Sequence, residues 1–312
     1  MQTLRAEALP APSAGVLTTA PTWREREQRV LGLFLAPALV TLLLITTLPL
    51  LFLFGVSLTP WNLARPGSFR LDGFINYAEL LRDARFWHSL LVQAKLSAIT
   101  VTVQLLVGLG IALLLNARLA FEELARALFI IPMVLPPVVV AIVWKVLFTP
   151  DISLINWGLG LLGLPEPEWL GDPSLALWSI AIADIWEWYP FSFLILLSAL
   201  QTLPQDPLEA ARIDGASYLQ TLRHIVLPLL KPAILVVVLF RLIESTKAFP
   251  LIFIMTGGGP GIVTEPTNFY AYAQSFDYGF VGYASAISTF LLFLVLGLTV
   301  VMVRFGRPAD VE

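Results

Sequence analysis

Six apolar stretches, at 30–56, 87–115, 127–148, 175–200, 233–255 and 281–303, constrain this chain more than any other feature. Each is near or above the ~20 residues that an α-helix needs to cross a hydrocarbon core. In lipid the backbone N–H and C=O groups must bond to one another, so such stretches fold as helices. The expected fold class is an all-α integral membrane domain of six transmembrane helices over 30–305, with tails at 1–29 and 306–312. Length alone, at 312 residues, would suggest two soluble domains. A content of 57% hydrophobic and 13% charged residues overrules that reading.

Composition also narrows the chemistry. A net charge of −3 is too small to imply nucleic acid or an acidic partner, and the absence of cysteine excludes disulfides, thiolate metal sites and thiol catalysis. Gly158 to Gly163 spells GxGxxG, but a dinucleotide site needs that pattern between a strand and a helix, and here it falls between two membrane stretches. Gly257-Gly258-Gly259-Pro260-Gly261 lacks the Gly-Lys-Ser/Thr that completes a phosphate loop. No GxSxG elbow occurs, and His88 and His224 lie far apart. The chain is therefore expected to be no enzyme and to hold no cofactor or metal.

Six crossings place both termini on one side, together with the polar connector 203–232. Arg24, Arg26, Arg29, Arg118, Arg126, Arg212, Arg223, Lys231, Arg304 and Arg307 fall on that side, which marks it as cytoplasmic. The segments 150–172 and 256–280 carry no Lys or Arg, as outside loops should. Arg65, Arg70, Arg82 and Arg85 in the first outside loop break the pattern, partly offset by Asp72, Glu79 and Asp83. Residues 1–22, rich in Ala, Pro and Thr, read as a disordered tail. Pro132, Pro136 and Pro137 should loosen the third crossing and Pro190 the fourth, since each removes a helix hydrogen bond.

The connector 203–232 has its own punctuation. Asp206 suits an N-cap, Pro207 the first helical position, and Glu209 follows three residues after the cap. Gly215 offers the left-handed backbone that ends such a helix. Ser217 with Gln220 repeats the capping pattern for a second helix, which Pro228 should close. By this reading alone the segment is an amphipathic connector; a DNA-reading helix-turn-helix is at odds with a loop tethered to the bilayer at both ends.

The residue order adds more. Glu209-Ala210-Ala211, then Asp214-Gly215-Ala216, then Ile225 with Leu227-Pro228, resembles the EAA signature of ABC importer permeases. The likeness extends over roughly 30–305 and is closest to the carbohydrate-uptake branch, in its first-permease type. Asn76-Tyr77, Leu80-Leu81-Arg82-Asp83 and Phe86-Trp87 resemble that branch's first outside loop. Pro132, Pro136, Trp144 and Phe148 resemble its third crossing, and Trp186 with Pro190-Phe191 its fourth. Thr256-Gly257-Gly258-Gly259-Pro260, followed by Thr264-Glu265, resembles the loop after the fifth.

The resemblance implies a cytoplasmic coupling helix between helices 4 and 5 that docks into a separate ATPase, and alternating access driven by ATP. It implies a second permease subunit, two ATPase subunits carrying ATP and Mg, an extracellular solute-binding protein, and a sugar or polyol substrate. The chain departs from the maltose-type first subunit, which carries extra N-terminal crossings and a large insertion, so maltose is not the favoured sugar. An ABC permease for glycerol phosphate, amino acids or peptides is the alternative. A secondary transporter would usually carry an internal repeat, and none is evident.

Charges within the crossings are candidate site residues. Asp184 and Glu187 lie midway along the fourth, among Trp186, Trp188 and Tyr189. Arg241, Glu244 and Lys247 recur every three residues along the fifth, which places them on one broad helical face. A charge in lipid costs at least ~2.5 kcal/mol, so these groups face an interior and find partners. An ion-pair network that locks helices and a solute pathway both fit. The matching depth beside aromatic rings favours Asp184, Trp186, Glu187, Tyr189, Arg241, Glu244 and Lys247 as the pathway, because such groups suit a polyhydroxylated ligand.

Overall fold

The computed structural model describes residues 23–65, 67–116 and 122–306. The tail expected at 1–22, the arginines at 118 and 307, and residues 307–312 lie outside them. All regular structure among the described residues is helical. Five helices are long and apolar enough to cross a membrane, and a sixth crossing is present if one bent pair counts as a single span. The chain divides at Phe52/Leu53 into two compact units.

In the first unit lies most of α1 (Trp23–Ser57), which begins seven residues before the expected crossing. It contains Pro37 and Pro49, yet it stays helical. Thr41 Oγ1 donates to the Pro37 carbonyl at 2.8 Å and Thr46 Oγ1 to that of Leu42 at 2.7 Å.

In the second unit α3 (Ala84–Asn116) and α7 (Ala176–Gln201) form the central pair. They run parallel, because Gln104 meets Asp184 while Gly108, further along, meets Ser192. The contact is close because Gly108 has no side chain: a Cβ there would lie 2.6 Å from Ser192 Cβ and 2.7 Å from the Phe193 nitrogen. Pro190 does not break α7, which continues to Gln201 with its flanking turns buried. Below this contact Ala112, Leu115, Phe193, Leu196, Leu200 and Leu230 pack into one apolar cluster. Above it Leu96, Ile180, Val140, Phe148, Leu251 and Ile252 form another.

The third expected crossing is two helices, α4 (Glu122–Val134) and α5 (Pro137–Phe148), bent by 94°. Pro136 has an extended backbone, φ −60° and ψ 137°, and Pro137 starts the next helix without needing an N–H. The proline pair therefore turns the chain rather than loosening one helix.

The fifth crossing corrects the sequence boundaries at both ends. It was expected at 233–255, after a loop helix closed by Pro228. Instead α9 (Tyr218–Thr221), a π-turn over Leu222–Val226, and α10 (Leu227–Ser245) form one run. The π-turn bonds Leu227 N–H to the Leu222 carbonyl, five residues back. This wider turn relieves the clash that a proline ring makes with the carbonyl four residues earlier, so Pro228 continues the helix. Thr246 and Lys247 then turn, Ala248 leaves helical geometry, and α11 (Phe249–Met255) follows as a separate piece. Lys145 Nζ caps it by donating to the Ile254 carbonyl at 2.8 Å.

At the end where α3, α7 and α13 (Val281–Gly306) begin, α2 (Ile75–Arg82) and α12 (Thr267–Tyr272) fold over the bundle. The Asn-Tyr motif holds this end together. Asn76 Nδ2 donates to the carbonyls of Ser57 and Thr59, both at 2.8 Å, and Tyr77 Oη meets Ser57 Oγ at 2.7 Å. Gly282 lets α13 start against that segment, for a Cβ there would sit 1.9 Å from the Thr59 carbonyl oxygen.

These two contacts have a direct test. Gly108→Ala and Gly282→Ala should each lower the melting temperature of the purified complex, by a cost of about 1–3 kcal/mol for overpacking. Gly110→Ala, in the same helix as Gly108 with nothing within 4 Å of its added carbon, should leave it unchanged. Equal melting temperatures for all three would contradict the packing described.

Candidate functional site

Two places gather the residues that the sequence singles out. The first is the connector after α7. There α8 (Asp206–Ile213) begins one residue earlier than expected: Gln205 is the N-cap, Asp206 and Glu209 lie in the first turn, and no side chain caps it. Acidic groups still suit this end of a helix because they face its positive dipole terminus. The helix ends in a Schellman motif. Ala216 N–H bonds the Ala211 carbonyl at 2.9 Å and Gly215 N–H that of Arg212 at 3.2 Å, while Gly215 holds φ at +75°. Ser217 and Gln220 then form the full capping box. The sequence punctuation of Gly215, Ser217 and Gln220 is thus present as read.

Among the motif residues, Ala211 is buried and fixes α8 to the domain. Glu209, Ala210, Asp214, Gly215 and Pro228 are exposed, and Ile225 and Leu227 are half-buried. Around them stand three large apolar side chains that the sequence reading did not single out: Ile213, Tyr218 and Leu219, at 86%, 72% and 70% exposed. Apolar residues breaking an otherwise polar connector were the available signal. An exposed apolar group beside a rigid turn is the form of a protein contact surface.

The second place is the centre of the bundle. Arg241 on α10 reaches Asp184 on α7, Nη2 to Oδ2 at 3.3 Å, and Nε donates to Gln104 Oε1 on α3 at 2.8 Å. Gln104 Nε2 in turn donates to Asp184 Oδ2 at 2.8 Å and to the Asp184 carbonyl at 2.9 Å. The guanidinium lies over the Trp188 ring, 4.7 Å from its centroid. All three members of the triad are at most 3% exposed. Gln104, which completes the triad, was not singled out from sequence; an amide inside an apolar stretch was its only mark. Glu187 is buried one helical turn away.

Glu244 and Lys247 make no hydrogen bond or ion pair to this triad. Lys247 lies in the turn after α10 and pairs with Glu244 at 2.6 Å, and the pair is substantially exposed. Trp186 packs edge-on against Trp144 at 5.9 Å between centroids, and Tyr189 is half-buried. The seven candidates therefore fall into a buried group and an accessible group rather than lining one face.

At the opposite end, Asp83 Oδ2 accepts from the hydroxyls of Tyr270 at 2.5 Å and Tyr283 at 2.6 Å. Arg85, an unexpected charge in the first outside loop, pairs with Glu265 at 3.0 Å. Burial pushes the Glu265 carboxyl above its usual range, with Arg85 opposing. Thr264 Oγ1 ties the glycine-rich loop by bonding Thr256 Oγ1 at 2.8 Å and the Gly259 carbonyl at 2.6 Å. The motif residues here serve architecture.

Comparison with known proteins places this arrangement. The chain is 37% identical to the trehalose/maltose transport system permease protein MalF of Thermococcus litoralis, over 90% of this chain and 95% of that one. It is 32% identical to the trehalose transport system permease protein SugA of Mycobacterium tuberculosis H37Rv, over 92% of each. The sulfoquinovosyl glycerol transport system permease protein SmoG of Agrobacterium fabrum is also 32% identical, over 92% of this chain and 94% of its own. The fold matches a chain of a bacterial alginate ABC transporter, solved with an alginate pentasaccharide-bound periplasmic protein. That match has a TM-score of 0.79 and 19% identity, and covers 92% of this chain and 97% of that one. The family described as binding-protein-dependent transport system inner membrane component matches residues 104–307. On these grounds the chain belongs to that family, the membrane-embedded permeases of ABC importers.

Proposed function

We propose that this chain is one permease subunit of an ATP-driven importer of a sugar or related polyol, working by alternating access. The observation that carries the reading is the rigid surface formed by α8, the Gly215 turn and the exposed Ile213, Tyr218 and Leu219. Its helix is closed by the Gly215 turn and followed by a capping box, and its apolar residues lie where a chain alone in water would not place them. On this reading the surface and both termini are cytoplasmic, and α8 is the coupling helix that seats in the ATPase. A second permease, two ATPase subunits with ATP and Mg, and an extracellular binding protein complete the assembly.

The sugar class rests on relatives named for trehalose/maltose, trehalose and sulfoquinovosyl glycerol. The missing insertion carries no weight against maltose. The Thermococcus litoralis permease is named for trehalose/maltose and is matched over 95% of its own length.

For the intramembrane charges, burial supports a division of labour. Asp184 and Arg241 are closed off within this one chain and joined through Gln104, so they act as an internal bolt between α3, α7 and α10, with Glu187 buried beside them. The exposed Lys247 and the half-buried Glu244, Trp186 and Tyr189 are the residues offered to the solute. A ligand shifts such a protein between states only through differential contact with them, and only accessible groups supply that.

Coupling is tested at Gly215. Gly215→Val forces a β-branched residue into the left-handed region, costing more than about 1 kcal/mol, and misplaces α8. Transport and transport-stimulated ATP hydrolysis should fall while the binding protein keeps its ligand affinity. Normal transport in an assembled variant would overturn the coupling role. The pathway is tested at Glu244: Glu244→Gln should leave assembly and melting temperature intact and change the KM for uptake several-fold, since a neutral amide makes weaker bonds. An unchanged KM with a lower melting temperature would assign Glu244 to the bolt instead.

A further inference from the structure

Part of the first outside loop, residues 60–70, matches none of the importer motifs. The loop's arginines defy the charge rule, and two of them, Arg65 and Arg70, border a cavity of about 740 Å³. This cavity lies where α3 and α13 begin, between the 60–70 loop, α2, and the α12–α13 segment. Its size falls within the roughly 300–1,000 Å³ typical of small-molecule sites.

The walls are held rigid from behind. Leu63 N–H bonds the Gly279 carbonyl at 2.9 Å and Gly282 N–H bonds the Trp61 carbonyl at 3.0 Å, which lock the loop to the start of α13. Asn76 is fixed by its two carbonyls, and Asp83 by its two tyrosines. Burial pushes the Asp83 carboxyl up, but the Tyr270 and Tyr283 hydroxyls and the N–H groups of Arg85 and Phe86 outweigh it and hold the group below the usual range. The carboxylate therefore stays ionised at neutral pH.

The lining chemistry is balanced. Arg65 and Arg70 contribute positive groups and Glu79 and Asp83 negative ones, and Arg70 also pairs with Asp72 at 3.7 Å, so charges of both signs border the cavity and largely offset one another. Glu79 and the arginines are exposed, and Gln274 adds an amide. Trp61 and Phe280 add aromatic surface. Neutral balance, paired donors and acceptors, and flat apolar rings together match a molecule with many hydroxyls and apolar ring faces. An inorganic anion or a basic peptide would leave one half of the charge set unmatched.

We propose that this outer cavity is a saccharide-binding vestibule, a site separate from the intramembrane charges, that takes a neutral sugar at the mouth of the permease. The proposal rests on the sugar-import reading. It assigns Arg65 and Arg70 a use: with the facing Glu79 carboxylate they bind hydroxyls in pairs.

The test uses the assembled permease–ATPase complex in lipid nanodiscs, without the binding protein. Saturation-transfer NMR is recorded with maltose and with trehalose, with a neutral dipeptide as control. One or both sugars should give a saturable signal that the dipeptide lacks. Trp61→Ala and Gln274→Ala should each reduce it at least threefold, while Arg82→Ala, outside the cavity lining, should leave it unchanged. Gln274→Ala removes only the amide and keeps the backbone bond from Phe280 N–H, so it remains informative if Trp61→Ala fails to assemble. The absence of a saturable signal, or one unaltered in the Gln274 variant, would overturn the vestibule. Uptake of the same sugars by cells with the whole system is measured in parallel. Uptake without a vestibule signal rejects this inference alone, whereas no uptake and no signal for either sugar counts against the import reading as well.

Discussion

A guanidinium at the centre of an apolar bundle is costly unless its charge is met, and three helices of this domain meet around the charge of Arg241. Asp184 supplies the opposite charge from α7, Gln104 supplies an acceptor from α3, and Trp188 supplies a ring face. Three helices are thereby fixed in register by one side chain. The parallel course of α3 and α7 agrees with it, since Gly108 and Ser192 touch one turn further on. Each contact lies within one chain, so the triad needs no partner subunit to form.

Around this fixed centre the two ends differ in kind. One end carries a short helix closed by a glycine turn, with exposed apolar residues, a form suited to a rigid partner. The other end carries loops sewn together by buried and half-buried polar groups, Asn76, Asp83, Thr264 and the Arg85–Glu265 pair, around an open cavity. The broken crossing at Pro136 and the interrupted one at Thr246–Ala248 lie between these ends. Non-helical backbone at such depth is tolerated where protein or water satisfies it, which suits a domain that encloses a pathway.

Much of this was legible in the sequence because single residues carry it. Gly215 had to adopt positive φ, Ser217 and Gln220 had to cap, and the apolar stretches had to be helices, each from local chemistry alone. Boundaries that depend on neighbours were not legible. Pro228 reads as a stop, yet a π-turn ahead of it lets the helix run on. Lys247 reads as part of a helical face, yet the helix ends at Ser245 and sends it outward. Gln104 carries no charge and no motif, so nothing local marks it as the partner that joins Asp184 to Arg241. Long-range pairing needs the fold before it can be seen.

The bundle depends most on the triad being one interacting unit within the subunit. A double-mutant cycle on Asp184→Asn and Arg241→Gln, read as thermal stability of the assembled complex, measures this directly. Each single change leaves a buried group without its partner, roughly a 3–5 kcal/mol loss for a broken buried pair. The double variant should then be less destabilised than the sum, by an interaction of about 0.5–3 kcal/mol. Strictly additive losses would contradict the account, because they would mean that Asp184 and Arg241 do not stabilise one another.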